Sequence, residues 1–271
     1  MSENHSLQAQ RFEVKYLIPA ALTVPIRNFV RAYLDIDEFG EGVAGYAYPV
    51  HSIYLDSDDL KTYQWSQNGD KNRFKLRVRY YDSSDNGPIF FETKRRVNDC
   101  ILKERCGLHR RAAAQLLAGY IPDVTDRLSS APSQLASLER FAQLMLNLGA
   151  RPKAHVAYDR EAWVSPHDNS VRVTMDSNIR CEPRFELRLS TEMDKPFYVF
   201  GRDIILELKF TDRMPNWFQE LVRAFNLTRT GGAKYAWGLE QLGTARFTPH
   251  SSSLDRGAVG FGDSPANWSL M

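Results

Sequence analysis

The sequence has few cysteines and none in an arrangement that binds metal. Its 271 residues include three cysteines, Cys100, Cys106 and Cys181, with no Cys-x-x-Cys pair and no cysteine–histidine spacing of a zinc site. Because this set is odd and sparse, we expect reduced thiols and a cytoplasmic location. The cysteine content thus argues against a disulfide framework and a structural zinc module.

The sequence also lacks a long apolar run and a strong net charge. No segment approaches the roughly 20 apolar residues that a membrane-spanning helix needs. The N-terminus, "MSENHSLQAQ", lacks the basic start and apolar stretch of a secretory signal. The 35 basic and 33 acidic residues leave a net charge of +2, which indicates neither nucleic acid nor an anionic membrane as a partner. We therefore expect a soluble protein that reaches a membrane only through a separate partner.

No internal repeat or long linker divides the chain. Residues 1–10 are polar, and residues 244–271 are rich in Ser, Gly and Pro without periodicity. We expect a flexible N-terminus over residues 1–10, one domain with a substantial core over 11–243, and a disordered tail over 244–271.

What the sequence has in abundance is alternation with a period of two. In "RFKLRVRYY", residues 73–81, basic side chains occupy every second position from Arg73 to Arg79, and apolar ones fill the positions between. Related patterns occur in "RFEVKYLI", "YPVHSIYLD", "PIFFETKRR", "CILKERCGL", "HVAYDREAWV", "SVRVTMDSNI", "RFELRLS" and "DIILELKFTD". Helical periodicity occurs in "PAALTVPIRNFVRAYL", "RRAAAQLLAGY", "PSQLASLERFAQLMLNLG", "MPNWFQELVRAFNL" and "YAWGLEQL". The combination predicts an α+β fold with a mainly antiparallel sheet of about eight strands.

The charged strand faces allow two arrangements of the sheet. About eight strands can close on themselves, and helices covering the apolar outside would then leave Arg and Lys lining the inside. Such an interior needs polyanions such as phosphates, because like charges repel strongly between low-dielectric walls. Interleaved carboxylates could hold Mg²⁺ or Mn²⁺ there, and the candidates are Glu13, Glu92, Asp176, Glu186 and Glu207. In the alternative, an open sheet exposes its charged faces to water as ladders of salt bridges.

Several of these segments resemble a known family. "RFEVKYLI" resembles the E-x-K opening of the triphosphate tunnel metalloenzymes. More narrowly, the chain is similar to the VTC domain, the polyphosphate polymerase branch of that superfamily, through the ordered segments "SIYLDSDDLKTY", "RFKLRVRYY", "FFETKRR", "ILKER", "YDREAW", "RVTMDSNI", "ILELKF" and "GGAKYAWG". The resemblance implies a closed eight-stranded antiparallel β tunnel with flanking helices. It also implies that the tunnel binds ATP and a divalent metal, moves the γ-phosphoryl group onto inorganic polyphosphate, and releases ADP.

The resemblance also implies roles for individual residues. The phosphate-binding catalytic residues would be Arg77 and Arg79 of the K-x-R-x-R strand, Lys94 of the E-x-K strand after it, Arg160 of Y-x-R-x-A-[FW], Arg172 of R-V-T-x-D, and Lys234 near the tunnel mouth. Further ligands of the nucleotide or the chain would be Lys15, Lys75, Lys103 and Lys209, and the metal ligands would be Glu207 and Glu92. We expect Arg73, at the entrance of its strand, to face water.

Two other functions are compatible with the same residues. A triphosphatase or polyphosphatase would place water where the polymerase places a phosphate chain, and a binding module would hold polyphosphate without reacting. Structural interpretations of single residues also stay open, since Arg160 or Arg172 could pair with Asp176 or Glu186, and Glu207 could be a structural partner. The six histidines receive no catalytic role, because an ionised phosphate acceptor needs no strong base.

Overall fold

A single antiparallel sheet carries the charged strands, in a computed structural model that describes residues 11–98, 100–166, 170–231 and 233–248. The ten strands within these residues are β1 (Arg11–Ile18), β2 (Asp35–Ile36), β3 (Ala47–Asp56), β4 (Asn72–Tyr80), β5 (Ile89–Val97), β6 (Cys100–Leu108), β7 (Arg151–Val164), β8 (Val171–Pro183), β9 (Phe197–Tyr198) and β10 (Ile204–Thr211). Their spatial order is β1, β10, β8, β7, β3, β4, β5, β6, with β2 beside β7 and β9 beside β8. The predicted antiparallel sheet is confirmed.

One predicted strand does not form. The segment "RFELRLS" leaves the sheet directly after β8, whose last residue is Pro183. Proline has no backbone N–H to continue the ladder, and Arg184 makes one final bond to the carbonyl of Lys153 at 2.9 Å. Glu186, a candidate carboxylate on this segment, is therefore exposed to water. The two-residue strands β2 and β9 were not predicted.

The prediction of a closed eight-stranded tunnel is wrong in strand number and in closure. The edge strands β1 and β6 do not pair with each other within the described ranges. Other segments cover their edges instead: Thr230 N–H donates to the carbonyl of Lys15 at 2.8 Å, and Leu128 N–H donates to that of Gly107 at 3.0 Å. The sheet is nevertheless curved. Its curvature brings β5 close to β1, which are far apart in the strand order, so that Lys94 Nζ lies 3.2 Å from Glu13 Oε2.

Helices pack against both sides of this sheet. They are α1 (Thr23–Val30), α2 (Lys61–Gln67), α3 (Ala113–Leu117), α4 (Pro132–Leu148), α5 (Asn216–Ala224) and α6 (Lys234–Leu242). On the outer face, one apolar cluster joins β3 to β6 with α3 and α4, and a second joins β1, β8 and β10 with α1 and α5. Fully burying each such aliphatic or aromatic side chain stabilises the fold by about 1.5–3 kcal/mol. The predicted helices on the apolar outside are confirmed.

Helix α6 lies on the other, charged face, at one end of the sheet. There the inward residues turn apolar, and Val50, Val156 and Ile205 pack with Tyr235 and Leu239 of α6. Helix α6 therefore covers the apolar end of the inner face, and the charged part of that face lines a cavity.

Asp56, at the end of β3, fixes both α6 and α2. Its carboxylate accepts hydrogen bonds from Thr62 N–H at 2.9 Å and from the Tyr235 hydroxyl at 2.8 Å. A carboxylate that accepts N–H groups in the first turn compensates for the donors left free at a helix start. Helix α2 was not predicted, because the residue that stabilises its start lies outside the helix.

The two chain termini lie mostly outside the described residues. A short 3-10 helix spans Thr244–Phe247, and Phe247 is 0% exposed. Predictions about residues 1–10 and 249–271 stay predictions. Among the described residues, no helix is long and apolar enough to cross a membrane.

Candidate functional site

The curved inner face encloses a cavity of about 1390 Å³. Its lining includes the predicted residues Lys15, Lys75, Arg77, Arg79, Lys94, Lys103, Arg160, Arg172, Glu207, Lys209 and Lys234. Glu92, the remaining predicted residue, is 1% exposed and lies among these basic side chains. Arg73, expected to face water, is partly exposed and also lines the cavity. The alternation therefore brought the predicted strand residues to one place, and Lys234 joins them from the start of α6.

Strand register places like charges directly opposite one another on β4, β5 and β6. Lys75 pairs with Lys94 and Lys94 pairs with Lys103, while Arg73 pairs with Arg96. Side chains directly opposite in an antiparallel pair lie about 4.5–5.5 Å apart at Cβ, and like charges there are destabilising. These inward basic residues form what we call the arginine wall: Arg73, Lys75, Arg77, Arg79, Lys94, Arg96, Lys103 and Arg105.

Glu92 is the buried counter-ion of the arginine wall. Its carboxylate lies 2.6 Å from Arg77 Nη2 and 3.1 Å from Lys103 Nζ, with Arg79 and Arg105 each at 3.7 Å. Burial alone would raise the pKa of Glu92, but Arg77 and Arg79 outweigh it and hold the pKa well below its usual value. Glu92 therefore stays ionised and fixes the guanidinium groups around it.

Lys75 differs from its neighbours on this wall. Among the described residues, no hydrogen bond or ion pair involves its ammonium group. Burial, followed by repulsion from Lys15 and Lys94, lowers the pKa of Lys75 to about 7. An amine in this state would gain from a bound anion.

The opposite side of the cavity is balanced by carboxylates. We call it the lysine wall; it comprises the basic residues Lys15, Arg160, Arg172, Lys209 and Lys234 with the acidic residues Glu13, Asp37, Asp176 and Glu207. Its strands are β1, β10, β8 and β7, and Lys234 is the first residue of α6. Opposite charges in register, such as Lys15 with Glu207 and Glu13 with Lys209, stabilise this ladder.

Glu207 is the central carboxylate of the lysine wall. It lies 2.6 Å from Lys209, 3.0 Å from Lys234, 3.3 Å from Lys15 and 3.8 Å from Arg160. Burial opposes its ionisation, yet Lys209 and Lys234 hold the pKa of Glu207 well below its usual value. Like Glu92, it has four basic groups around it, but three of the four are lysines.

The arginines of the lysine wall have carboxylate partners. Arg160 donates two hydrogen bonds to Asp176, at 2.7 and 2.8 Å, so the structural pairing considered for it is present. Arg172 pairs instead with Asp37, at 2.7 Å. Neither arginine's pairing prevents its guanidinium group from facing the cavity.

The carboxylates of the described residues do not form a protein-only metal site. Within the described parts of the chain, no group of three or more His, Cys, Asp or Glu side chains could hold a metal ion. Mg²⁺ commonly binds through one or two carboxylates together with substrate phosphates. Both Glu207 and Glu92 have four basic neighbours, but Glu207 lines the cavity and could serve as such a single ligand, whereas Glu92 is not part of the lining.

Tyr54 and Asp37 were not singled out from the sequence, and Tyr158 was given no role in the site. Tyr54 accepts a hydrogen bond from Arg77 Nη1 at 3.1 Å, and Tyr158 accepts one from Arg79 at 3.4 Å. The period-two pattern could have found Tyr54, since it lies opposite Arg77 in the ladder. No local pattern points to Asp37, which reaches Arg172 across 135 residues of sequence.

A protein-family model, described as the VTC domain, matches residues 10–243. One curated relative is the vacuolar transporter chaperone complex subunit 4 of Schizosaccharomyces pombe (strain 972 / ATCC 24843). It is 29% identical over 144 residues, which cover 48% of this chain and 20% of the relative. The chain thus aligns with about a fifth of that protein's length.

Two solved structures are weakly similar. One is a provisionally assigned adenylate cyclase from Bacillus halodurans, with a TM-score of 0.46, 11% identity, and coverage of 83% of this chain and 94% of that one. The other is a chain of the Schizosaccharomyces pombe Mediator head module, with a TM-score of 0.37, 10% identity, and coverage of 80% and 91%. At these scores the likeness carries no argument about fold or function.

Proposed function

The chain belongs to the VTC domain family, and from that premise we propose that it transfers the γ-phosphoryl group of ATP to the end of an inorganic polyphosphate chain. Family membership supports a function in polyphosphate chemistry. The similar subunit 4 is named as part of a vacuolar transporter chaperone complex, so a separate partner at a membrane is part of the proposal. A cytoplasmic location stays a prediction.

The observation that carries the proposal is the excess of positive charge on the arginine wall. Four of its eight inward basic residues lie within 3.7 Å of one buried carboxylate, Glu92. Lys94 reaches Glu13 on the opposite side of the cavity, and the ammonium of Lys75 has no partner among the described residues. In a low-dielectric cavity, repulsion among these basic side chains destabilises the protein unless a polyanion is bound. A triphosphate or polyphosphate supplies closely spaced negative charges that match the rows of the wall.

Phosphoryl transfer depends on alignment and charge stabilisation rather than covalent help from the protein. Arg77 and Arg79 would hold the phosphates with their planar guanidinium groups, whose orientation Glu92 already fixes. The bond between the γ-phosphorus and the β-phosphate bridging oxygen breaks, and its electrons leave with ADP. The terminal oxygen of the polyphosphate forms the new bond, and because it is already ionised no general base is required.

The remaining basic residues have roles in the same proposal. Lys75, Lys94 and Lys103 would neutralise the triphosphate along the arginine wall, and Arg160 and Arg172 would hold it from the opposite side. Lys15, Lys209 and Lys234 would follow the path of the polymer. Glu207 would hold a bound Mn²⁺ or Mg²⁺ together with phosphate oxygens, and such an ion would supply further neutralisation of the transferring group.

A product assay tests the proposed reaction. The purified chain is incubated with ATP and Mn²⁺, and long-chain polyphosphate, ADP and free phosphate are followed over time. We expect polymer and ADP to accumulate together, with loss of both in Arg77→Ala. The matched control is Arg223→Ala, which changes an exposed arginine on α5.

Two other results would overturn the polymerase proposal. Free phosphate without polymer would identify a triphosphatase or polyphosphatase in the same cavity. Polyphosphate binding without turnover of ATP, with either Mn²⁺ or Mg²⁺, would identify a binding module.

A further inference from the structure

Nine aromatic side chains of the described residues line the cavity, and three of them form a cluster beside the phosphate-binding candidates. These three are Phe39, Tyr48 and Tyr81, which we call the aromatic platform. The ring of Phe39 lies 5.6 Å from that of Tyr48, and it is stacked with that of Tyr81 at 6.1 Å with an interplanar angle of 5°. Phosphate groups gain little from apolar ring faces, so polyphosphate chemistry alone does not account for this cluster.

Hydrogen bonds brace the turn that carries Phe39, and the ring itself is exposed. The Asp37 carboxylate accepts the Phe39 N–H at 3.1 Å, and the Asp37 carbonyl accepts the Gly40 N–H at 2.8 Å. A Cβ added at Gly40 would lie 2.8 Å from the carbonyl oxygen of Tyr46, so a larger residue there would disturb the turn. Phe39 is nevertheless 55% exposed, which leaves a preformed apolar surface in contact with water.

The aromatic platform adjoins the arginines that would bind the triphosphate. Tyr48 of β3 lies directly opposite Arg160 of β7 in the ladder, a position that places Cβ atoms about 4.5–5.5 Å apart. Tyr81 follows Arg79 by two residues, and Asp37 binds Arg172 at 2.7 Å. A ligand on these arginines therefore has the rings beside it.

We infer that the aromatic platform binds the base of a nucleoside triphosphate by stacking. The inference rests on the proposed function, which supplies the triphosphate, and adds the residues that recognise the nucleoside. Guanidinium groups and ring faces side by side match a ligand with both a polyanionic and an aromatic part. Because stacking uses the face of the base, the platform distinguishes ATP from inorganic tripolyphosphate but discriminates weakly between purines.

Binding measurements on the full chain test this inference. Isothermal titration calorimetry compares ATP with inorganic tripolyphosphate for the wild type, Phe39→Ala and Phe39→Trp. We expect Phe39→Ala to weaken ATP binding about tenfold, as for the loss of one base–aromatic stack, with tripolyphosphate affinity unchanged. Phe39→Trp should retain ATP binding. The matched control is Phe185→Ala, since Phe185 is 50% exposed and lies outside the lining of this cavity.

A spectroscopic probe reports stacking directly. The triphosphate of 2-aminopurine riboside should lose fluorescence on binding to the wild type and regain it when bound to Phe39→Ala. If Phe39→Ala weakens ATP and tripolyphosphate equally, or leaves ATP binding and the probe unchanged, the inference is wrong while the proposed function stands. If the wild type binds neither ligand, the proposed function fails and the inference fails with it.

Discussion

The two walls of the cavity use the same device with different side chains. Each has a buried carboxylate with four basic groups near it, Glu92 on the arginine wall and Glu207 on the lysine wall. Three of the four are arginines around Glu92, and three are lysines around Glu207. Arginine keeps its charge at every relevant pH and holds a fixed planar fork, whereas lysine is mobile and its pKa shifts readily.

The walls also differ in charge balance. Among the described residues, the lysine wall has five basic and four acidic residues, while the arginine wall has eight basic residues and one acidic residue of its own. Glu13 of the lysine wall also reaches Lys94 of the arginine wall. The excess charge therefore lies on the wall with the rigid guanidinium groups. Within the proposed function, this difference assigns the triphosphate mainly to the arginine wall, with Arg160 and Arg172 opposite it, and assigns the chain and the metal to Lys15, Lys209, Lys234 and Glu207 of the lysine wall.

The largest expected effect compares equivalent residues on the two walls. Arg77 and Lys209 each contact their central carboxylate at 2.6 Å. We expect Arg77→Ala to lower turnover roughly 100- to 1,000-fold, because it removes a fixed donor to the transferring phosphates. Lys209→Ala should lower it only about tenfold, since a mobile, partly neutralised amine contributes less. Steady-state kinetics with ATP check both, and equal losses would contradict the division of roles.

Substituting the two carboxylates should separate stability from activity. Glu92→Gln leaves buried cations without a counter-ion, and breaking such a site costs about 3–5 kcal/mol of unfolding free energy. Glu207→Gln should cost less, because Asp176 still binds Lys234 at 2.6 Å and Glu13 still binds Lys15 at 3.0 Å. Urea unfolding of the ligand-free protein measures both changes.

The same pair of variants should respond differently to ligands. Tripolyphosphate at about 100 times its Kd should restore about 2.7 kcal/mol to Glu92→Gln, provided that the folded variant still binds it. Glu207→Gln should fold but lose its activation by Mn²⁺ in the ATP assay. If Glu92→Gln loses metal activation with unchanged stability, the roles of the two carboxylates are reversed.

The third comparison concerns Lys75, the amine without a partner among the described residues. Lys75→Met should raise the unfolding free energy of the ligand-free protein by up to about 1 kcal/mol, because it removes a like charge from the row with Lys94. It should also weaken tripolyphosphate binding about tenfold, equivalent to about 1.4 kcal/mol. Lys71→Met, at an exposed site just before β4, is the control. Loss of stability in Lys75→Met would show a favourable contact at that site.

Local patterns predicted the strands better than the connections between them. Alternation found each of the eight long strands, because side-chain direction has a period of two whatever the partner strand is. It could not show that Pro183 ends β8 before "RFELRLS". Alternation also could not show that the sheet stays open. Distant segments cover its two edges: Arg229–Thr230 bonds to β1, and Arg127–Leu128 bonds to β6.

In the candidate site, too, local patterns predicted the individual residues better than the contacts between them. The basic residues of each strand could be assigned to one face, and the family resemblance selected among them. Their partners could not be assigned: Arg172 binds Asp37 instead of Asp176 or Glu186, and Lys234 reaches Asp176 and Glu207 from the start of α6. Such pairs depend on how separate elements pack, which no single segment encodes.

The smallest effect is a pH dependence of ligand binding that should arise from the arginine wall through Lys75. Burial and then repulsion from neighbouring amines lower the pKa of this amine to about 7 in the free protein, and a bound polyanion would raise it. Binding therefore takes up protons, and tripolyphosphate affinity should fall as pH rises from about 7 toward the pKa of the bound form. Lys75→Arg, which stays charged, should reduce this dependence, and Lys103, whose pKa burial also lowers to about 7, should account for the remainder. The ligand-free protein should show the opposite trend, gaining stability from about pH 7 up to about 10.4, where the unfolded lysine titrates. Calorimetry in buffers of different ionisation enthalpy would measure the proton uptake, and an equal uptake by Lys75→Arg would assign it to another group.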